Sequence, residues 1–442
     1  MSRRRKRPDP APVELVIDGL DEQARGTATC EGRPVRVDAA LPGERVSVVR
    51  TRSRGGYDEA QVERVLEASG DRVEPGCRYF GLCGACTLQH MAPPAQLRLK
   101  SQRLLDTLEA ESGVLPERLL EPLSGEPWGY RRRARLGVRD VPKKGRVLVG
   151  FRERNASYLA DMLSCEVLIP EAGHRLEALS ELIGSLSVSA RIPQVEVAAG
   201  DDVVALVFRV LDPPTPDDLL KISAFGARYD FDIYLQTGGP GTVRALTESP
   251  RQLGYRLPAY DVEIHFQPGD FLQVNGVLNQ RMVDHALELL SPTPGGHVLE
   301  LFSGLGNFSL PLARRGARVT AVEGDEGLVK RARANAAANG LEDRVSFFAG
   351  DLFASAANAP WAQGSYESVL LDPPRAGARR VLEQIAPARP HRIVYVSCNP
   401  ETLGGDIGLL VRRFGYRLAA AGVMDMFPHT GHLESIAVLE PA

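Results

Sequence analysis

Over its last third the chain alternates short apolar runs with helical stretches. Strand candidates are Val298–Phe302, Val319–Glu323, Val345–Phe348, Ser368–Asp372 and Ile393–Ser397, and the clearest helix between them is Gly327–Asn339. This alternation predicts an α/β, Rossmann-like domain with a parallel, doubly wound sheet and a ligand beyond the carboxyl ends of its strands. Ser291–Gly296, rich in Pro and Gly, punctuates its entry. At the other end, β-branched runs broken by glycine (Val13–Ile17, Val35–Val37, Arg45–Val49, Ala60–Leu66) predict a small β-barrel, with Arg50–Tyr57 as a basic hairpin loop. Leu97, Leu104, Leu105 and Leu108 predict a helix from Pro94 to about Glu111, and mixed strands follow to about residue 255.

A chain of 442 residues calls for two or three domains. No apolar run reaches bilayer length, and the basic start, Ser2–Arg7, leads into no signal-like apolar stretch, so the protein reads as cytoplasmic. The net charge of -3 conceals an asymmetry: 29 Lys and Arg face 22 Asp and Glu in residues 1–154, and 24 face 34 in the rest. The densest basic stretch, Trp128–Arg154, interleaves its cations with Trp128, Tyr130 and Phe151. A charge run is ordinarily a solvated face, but cations beside stackable rings suit RNA.

The first strand of the alternating region runs into Ser303-Gly304-Leu305-Gly306-Asn307-Phe308. A glycine turn there lets the backbone approach a ligand. The dinucleotide fingerprint needs a third glycine where Ser309 stands, which argues against a pyrophosphate clamp. Glu323 ends the second strand, where a carboxylate can bind ribose hydroxyls, and Asp351 ends the third, where an acid can meet an adenine amino group. The set fits S-adenosylmethionine better than a dinucleotide.

Asp372-Pro373-Pro374-Arg375 follows the fourth strand as a rigid lip. The fifth delivers Ser397-Cys398-Asn399-Pro400, and His432-Leu433-Glu434-Ser435 precedes the last apolar run. A lone cysteine at a strand end is ordinarily a small buried hydrophobe. Here it falls one strand from the Asp-Pro-Pro lip, in position to act.

With Phe271-Leu272-Gln273-Val274-Asn275, these motifs stand in an order that resembles the bacterial uracil-5 RNA methyltransferases, and within them the TRAM-domain enzymes of 23S ribosomal RNA. The resemblance covers nearly the whole chain. It implies a Cys398 nucleophile, and Gln273, Phe302, Asn307, Glu323, Asp351 and Asp372 at the cofactor or its border with the base. The chemistry accounts for the residue types independently. Uracil C5 is a weak nucleophile, and thiolate addition at C6 makes it reactive. A base must then remove the C5 hydrogen, and Glu434 is the candidate. Asp372 could bond uracil N3–H or the cofactor's amino group.

Cys77, Cys83 and Cys86 lie within ten residues, and Cys165 is a distant fourth. In a reducing compartment such a cluster argues for metal over disulfides. The spacing fits neither paired zinc knuckles nor the radical S-adenosylmethionine pattern, leaving iron–sulfur and zinc open. The resemblance implies a [4Fe–4S] cluster on all four. The expected organisation is a basic tail over 1–12, a TRAM, OB-like RNA-binding barrel over 13–72, and a central α+β iron–sulfur domain over 73–95 and 128–262. The resemblance adds a methyltransferase domain over 96–127 and 263–442. The expected partner is 23S ribosomal RNA, with no membrane and no obligate protein partner. Two other readings are a tRNA uracil-5 methyltransferase, expected to lack the barrel and the four cysteines, and a non-catalytic RNA-binding assembly factor.

Overall fold

A computed structural model describes residues 11–354 and 359–442; most of the tail expected over 1–12 lies outside the described residues. The C-terminal sheet contains β1 (His297–Leu301), β2 (Arg318–Glu323), β3 (Val345–Ala349), β4 (Ser368–Leu371), β5 (Arg392–Ser397), β6 (Tyr416–Met424) and β7 (Glu434–Pro441). Their spatial order is β3-β2-β1-β4-β5-β7-β6, and the short strand Arg118–Leu119 extends the β6 edge in parallel. β1 to β5 run parallel, while β7 lies antiparallel between β5 and β6.

The strands read as unbroken apolar runs because both faces are covered. Val298, Leu370, Val394 and Ile436 pack on one side with the helix Gly276–Leu290. Leu299, Leu371, Tyr395 and Ala437 pack on the other with the helices Arg379–Ile385 and Pro400–Phe414. The helix Pro93–Ser112 joins this second face and packs along Pro400–Phe414.

The N-terminal strands form a six-stranded, mostly antiparallel sheet. Val13–Val16 pairs with Arg45–Ser53 at one edge, and Gly19–Leu20 pairs with Gly26–Cys30 at the other. Leu15, Ile17, Val35, Val37, Val46 and Val48 fill its interior. Arg50–Ser53, expected in a loop, belong to the strand, and only Arg54–Tyr57 make the turn. The central region is another six-stranded sheet, with the helix Pro216–Tyr229 crossing between its one parallel pair, Val204–Arg209 and Phe231–Gln236. Among the described residues no helix is long and apolar enough to cross a membrane.

Several cations and rings of the basic stretch Trp128–Arg154 are paired within the fold. Arg132 pairs with Asp201 at 2.8 Å, Arg133 and Arg135 both reach Glu196, and Arg154 pairs with Asp38 at 3.1 Å. Tyr130 is buried and donates to the Pro428 carbonyl, Trp128 lies 4.2 Å from the His429 ring, and Phe151 sits beneath Arg131. These cations and rings hold the core of the molecule together.

Candidate active site

A cleft of about 840 Å³ opens at the carboxyl ends of β1, β2, β4 and β5. Gln273, Phe302, Asn307, Glu323, Asp351, Asp372, Cys398 and Glu434 all line it. The folding reason begins at the end of β1, where Phe302, Gly304 and Gly306 take positive φ of 63°, 55° and 94°. Left-handed backbone at a non-glycine residue such as Phe302 is costly and is found where a site requires it. It turns the loop beneath Glu323, whose carboxylate accepts from Gly304 N at 3.0 Å and from Asp325 N at 3.0 Å.

Asn307 is fixed from behind. Its amide exchanges two 2.9 Å hydrogen bonds with Asn279 and accepts a third from the Tyr255 hydroxyl at 2.9 Å. Ser309, at the position of the missing glycine, donates to Glu300, a buried acid in the middle of β1. Burial pushes Glu300 up to about 8, against the Ser309 bond. Neither Glu300 nor Asn279 was identified from the sequence. Glu300 hides in an apolar run; a charged residue interrupting a two-faced strand was the available signal.

The opposite wall of the cleft carries acids and the thiol. Gln273 Nε2 donates to Asp372 at 3.3 Å, and burial raises Asp372 to about 7. β5 and β7 run antiparallel with Ser397 paired to Ser435, so Cys398 and Glu434 follow side by side, one residue beyond that pair. Burial raises Glu434 to about 8, with Asp372 adding to the rise and Arg375 and Lys100 opposing it. Burial likewise raises Cys398 to about 11, with Glu434 and Asp372 adding to the rise and Arg375 opposing it. His432 Nε2 stands 3.9 Å from Glu434 and is pushed down to about 4 by burial and by Arg375, Lys100 and Arg131. At neutral pH the resting site therefore holds a thiol, a neutral imidazole and two carboxyl groups close to their midpoints. Proton acceptors near the working pH are what acid–base chemistry requires.

Cys77, Cys83, Cys86 and Cys165 line a second, small cavity, with Gln89 and Glu166 beside them. None forms a disulfide. Burial raises Cys86 to about 12 and Cys165 to about 11, and the other cysteines add to each rise. Among the described residues no three His, Cys, Asp or Glu side chains are arranged to hold a single metal ion.

A doubly wound sheet with its strand-end acids and a thiol–carboxylate pair in one cleft defines a Rossmann-like methyltransferase. Residues 254–441 match the family model described as tRNA (Uracil-5-)-methyltransferase. The 23S rRNA (uracil(1939)-C(5))-methyltransferase RlmD of Alkalilimnicola ehrlichii is 51% identical over 442 residues, covering 100% of this chain and 99% of that one. The protein of the same name from Stenotrophomonas maltophilia K279a is 47% identical, covering 100% of each. Among solved structures, the Pyrococcus abyssi tRNA (uracil-54, C5)-methyltransferase in complex with S-adenosyl-L-homocysteine superimposes with a TM-score of 0.74. It is 26% identical over 96% of this chain and 99% of that one. The chain belongs to the RlmD family of 23S rRNA (uracil-C5)-methyltransferases.

The archaeal match corrects one expectation. A tRNA enzyme shares this architecture over nearly its full length, the N-terminal sheet included. Overall shape therefore does not separate rRNA from tRNA enzymes, and the RlmD assignment rests on sequence identity of 51% against 26%.

Proposed function

We propose that this protein methylates C5 of a uracil in 23S ribosomal RNA, using S-adenosylmethionine, by way of a covalent Cys398–C6 adduct resolved by Glu434. The observation that carries this reading is the side-by-side placement of Cys398 and Glu434 in the cleft that also holds Glu323 and Asp351. S-adenosylmethionine supplies an electrophilic methyl group; Glu323 would bind its ribose and Asp351 its adenine, with Gln273, Phe302 and Asn307 completing the pocket.

Cys398 loses its proton and its sulfur bonds to C6, pushing the C5–C6 π electrons onto the ring as an enolate. Asp372, held by Gln273, lies between the cofactor side and the catalytic side and would bond the uracil N3–H. C5 would then take the methyl group as its bond to the sulfonium breaks, leaving the thioether, and so become tetrahedral while still carrying its hydrogen. Glu434 accepts that proton, the C–H electron pair restores the C5–C6 double bond, and the C6–S bond breaks to free the Cys398 thiolate. His432 is the weaker candidate for this step, because a group at about 4 is a far poorer base than one at about 8.

The same proposal gives residues 13–72 to an RNA-binding TRAM barrel, 73–95 and 128–262 to the cysteine-bearing domain, and 96–127 and 263–442 to the methyltransferase domain. Cys77, Cys83, Cys86 and Cys165 would hold a [4Fe–4S] cluster. Buried thiols that raise one another become thiolates only against a bound cation. Zinc needs every sulfur about 2.3 Å from one point, whereas each cysteine of a cluster binds a different iron, so the sulfurs stand further apart. What supports the cluster is the convergence of the four cysteines on one small cavity. The role assigned to it is structural. A ribosomal RNA substrate supports a cytoplasmic location. Mapping 5-methyluridine in rRNA and tRNA from a deletion strain tests the substrate: loss from 23S rRNA alone is expected, and loss from tRNA alone would refute it.

A further inference from the structure

Met424 and Glu434 are Cα partners at the facing ends of β6 and β7, so Asp425–Leu433 is the hairpin connection that leads into Glu434. The helix Pro93–Ser112, more than 300 residues earlier, grips that connection along one stripe. Gln96, Lys100 and Arg103 are spaced four and three apart and so share a helix face. Lys100 Nζ donates to the Phe427 carbonyl at 3.0 Å and stands 2.5 Å from Asp425 Oδ1. Gln96 Oε1 accepts from His429 N at 2.9 Å, and Arg103 donates to the Gly431 carbonyl at 3.2 Å. Successive turns of one helix thus hold residues 427, 429 and 431.

Lys100 differs from its two neighbours because it is a buried charge: Gln96 is equally buried but neutral and Arg103 is partly exposed, whereas Lys100 is 1% exposed and its partner Asp425 7%. A buried ion pair adds little stability over apolar residues of the same volume, so stability alone does not explain the pair. Its surroundings offer another reason. Glu434 is faced by Lys100 from this helix, by Asp372 and Arg375 from the lip after β4, by Cys398 from the end of β5, and by His432 on its own hairpin. Of the two cations, Arg375 is exposed and screened by solvent, whereas Lys100 is not.

We propose that Lys100 is a positioning residue for deprotonation at C5, fixing the hairpin through Asp425 and Phe427 while its buried cation favours the charged form of Glu434. The inference rests on Glu434 as the base. Burial holds Glu434 near 8 with Lys100 opposing the rise, so removing the cation lets it climb further. A weaker acid is ionised over less of the neutral range, and release of product, which needs the carboxylate, shifts to higher pH.

The test is single-turnover release of methylated RNA from the adduct as a function of pH, on full-length enzyme. In the paired variant Lys100→Met/Asp425→Asn, which leaves no unpaired buried charge, release should slow roughly tenfold and adduct should accumulate. The release midpoint should rise by about half a unit or more. Trapping by 5-fluorouracil RNA, which reports attack and methyl transfer but not release, should stay within about twofold of wild type. Lys100→Met alone also removes the cation, with the buried Asp425 taking up a proton, and should likewise move the midpoint upward, which keeps the test alive if the paired variant misfolds. A midpoint unmoved in the folded variants overturns the proposal. Glu434→Gln is run alongside: adduct accumulation there with unmoved midpoints in the Lys100 variants defeats only the role of Lys100. Normal release in Glu434→Gln defeats the base assignment and this proposal with it.

Discussion

Ser397 and Ser435 are Cα partners across the antiparallel ladder of β5 and β7, and the Ser435 hydroxyl donates to the Ser397 carbonyl at 3.3 Å. That pairing joins two motifs 36 positions apart in sequence, because Cys398 directly follows Ser397 at the end of β5 and Glu434 directly precedes Ser435 at the start of β7. Opposed residues on an antiparallel pair stand about 5 Å apart at Cβ. A nucleophile and a base at that spacing can serve one six-membered ring from its C6 and C5 sides.

The resting thiol predicts a pH dependence. Cys398 is held near 11 by burial and neighbouring acids, so thiolate is scarce at neutral pH. The rate of adduct formation at limiting RNA, which reports the free enzyme, should rise about tenfold per pH unit through the neutral range. The sign follows from the raised value: the protonated form dominates below it, and each unit of pH multiplies the reactive form. Trapping kinetics with 5-fluorouracil RNA between about pH 6 and 9 measure this. A flat profile would mean that the thiol is ionised before RNA arrives.

The Asn279–Asn307 pair predicts a cofactor-binding effect from a residue set back from the cofactor. Asn279→Ala removes both amide bonds and leaves Asn307 held by Tyr255 alone. S-adenosylmethionine affinity should fall roughly tenfold, as for loss of two hydrogen bonds, by calorimetry. RNA affinity should stay the same. Unchanged cofactor affinity would show that the loop holds itself.

The cations of the Trp128–Arg154 stretch should behave as structural residues. Arg133→Ala leaves Glu196 with the exposed Arg135 as its one cation, beside the Gln194 amide, and removes a donor from the Pro268 carbonyl. Stability should drop by about 1–3 kcal/mol, as expected for a part-buried charged network, while the salt dependence of RNA binding keeps its slope. A flatter slope with unchanged melting would return this stretch to the RNA surface.

The cysteine site predicts a brown protein. Anaerobically prepared enzyme should contain iron and sulfide in near-equal amounts, and Cys86→Ser should lose both. Stoichiometric zinc without sulfide would contradict the assignment.

These outcomes separate what the sequence showed from what it concealed. All five predicted strands of the α/β region appear, each displaced by no more than a residue or two at its ends, because runs buried on both faces leave a strong apolar signal. The strand Gly26–Cys30 was missed: Gly-Thr-Ala-Thr-Cys has no apolar run and pairs only through its backbone. Of the four leucines whose spacing predicts the helix, Leu104 and Leu108 are buried and Leu97 and Leu105 only partly so, while Gln96 and Lys100 are buried beside them. Apolar spacing could not reveal that a lysine faces inward, since its partner Asp425 lies 325 residues away. Local charge likewise could not show the counterions of the basic stretch, since Glu196 lies on a later strand and Asp201 in the turn after it. The motif residues converge on one cleft because each sits at or just beyond the carboxyl end of a parallel strand, in a loop beside it, or, for Glu434, at the start of the antiparallel β7, whose first residue lies at that same edge.

The most direct test of the account is the mass of the peptide cross-linked to RNA. Wild-type enzyme with 5-fluorouracil RNA, and Glu434→Gln with ordinary substrate, should each yield a methylated adduct that survives denaturing electrophoresis. In both, the adduct should map to the peptide containing Cys398, and Cys398→Ala should give neither adduct nor product. A cross-link at Cys77, Cys83 or Cys86, or turnover by Cys398→Ala, would contradict it.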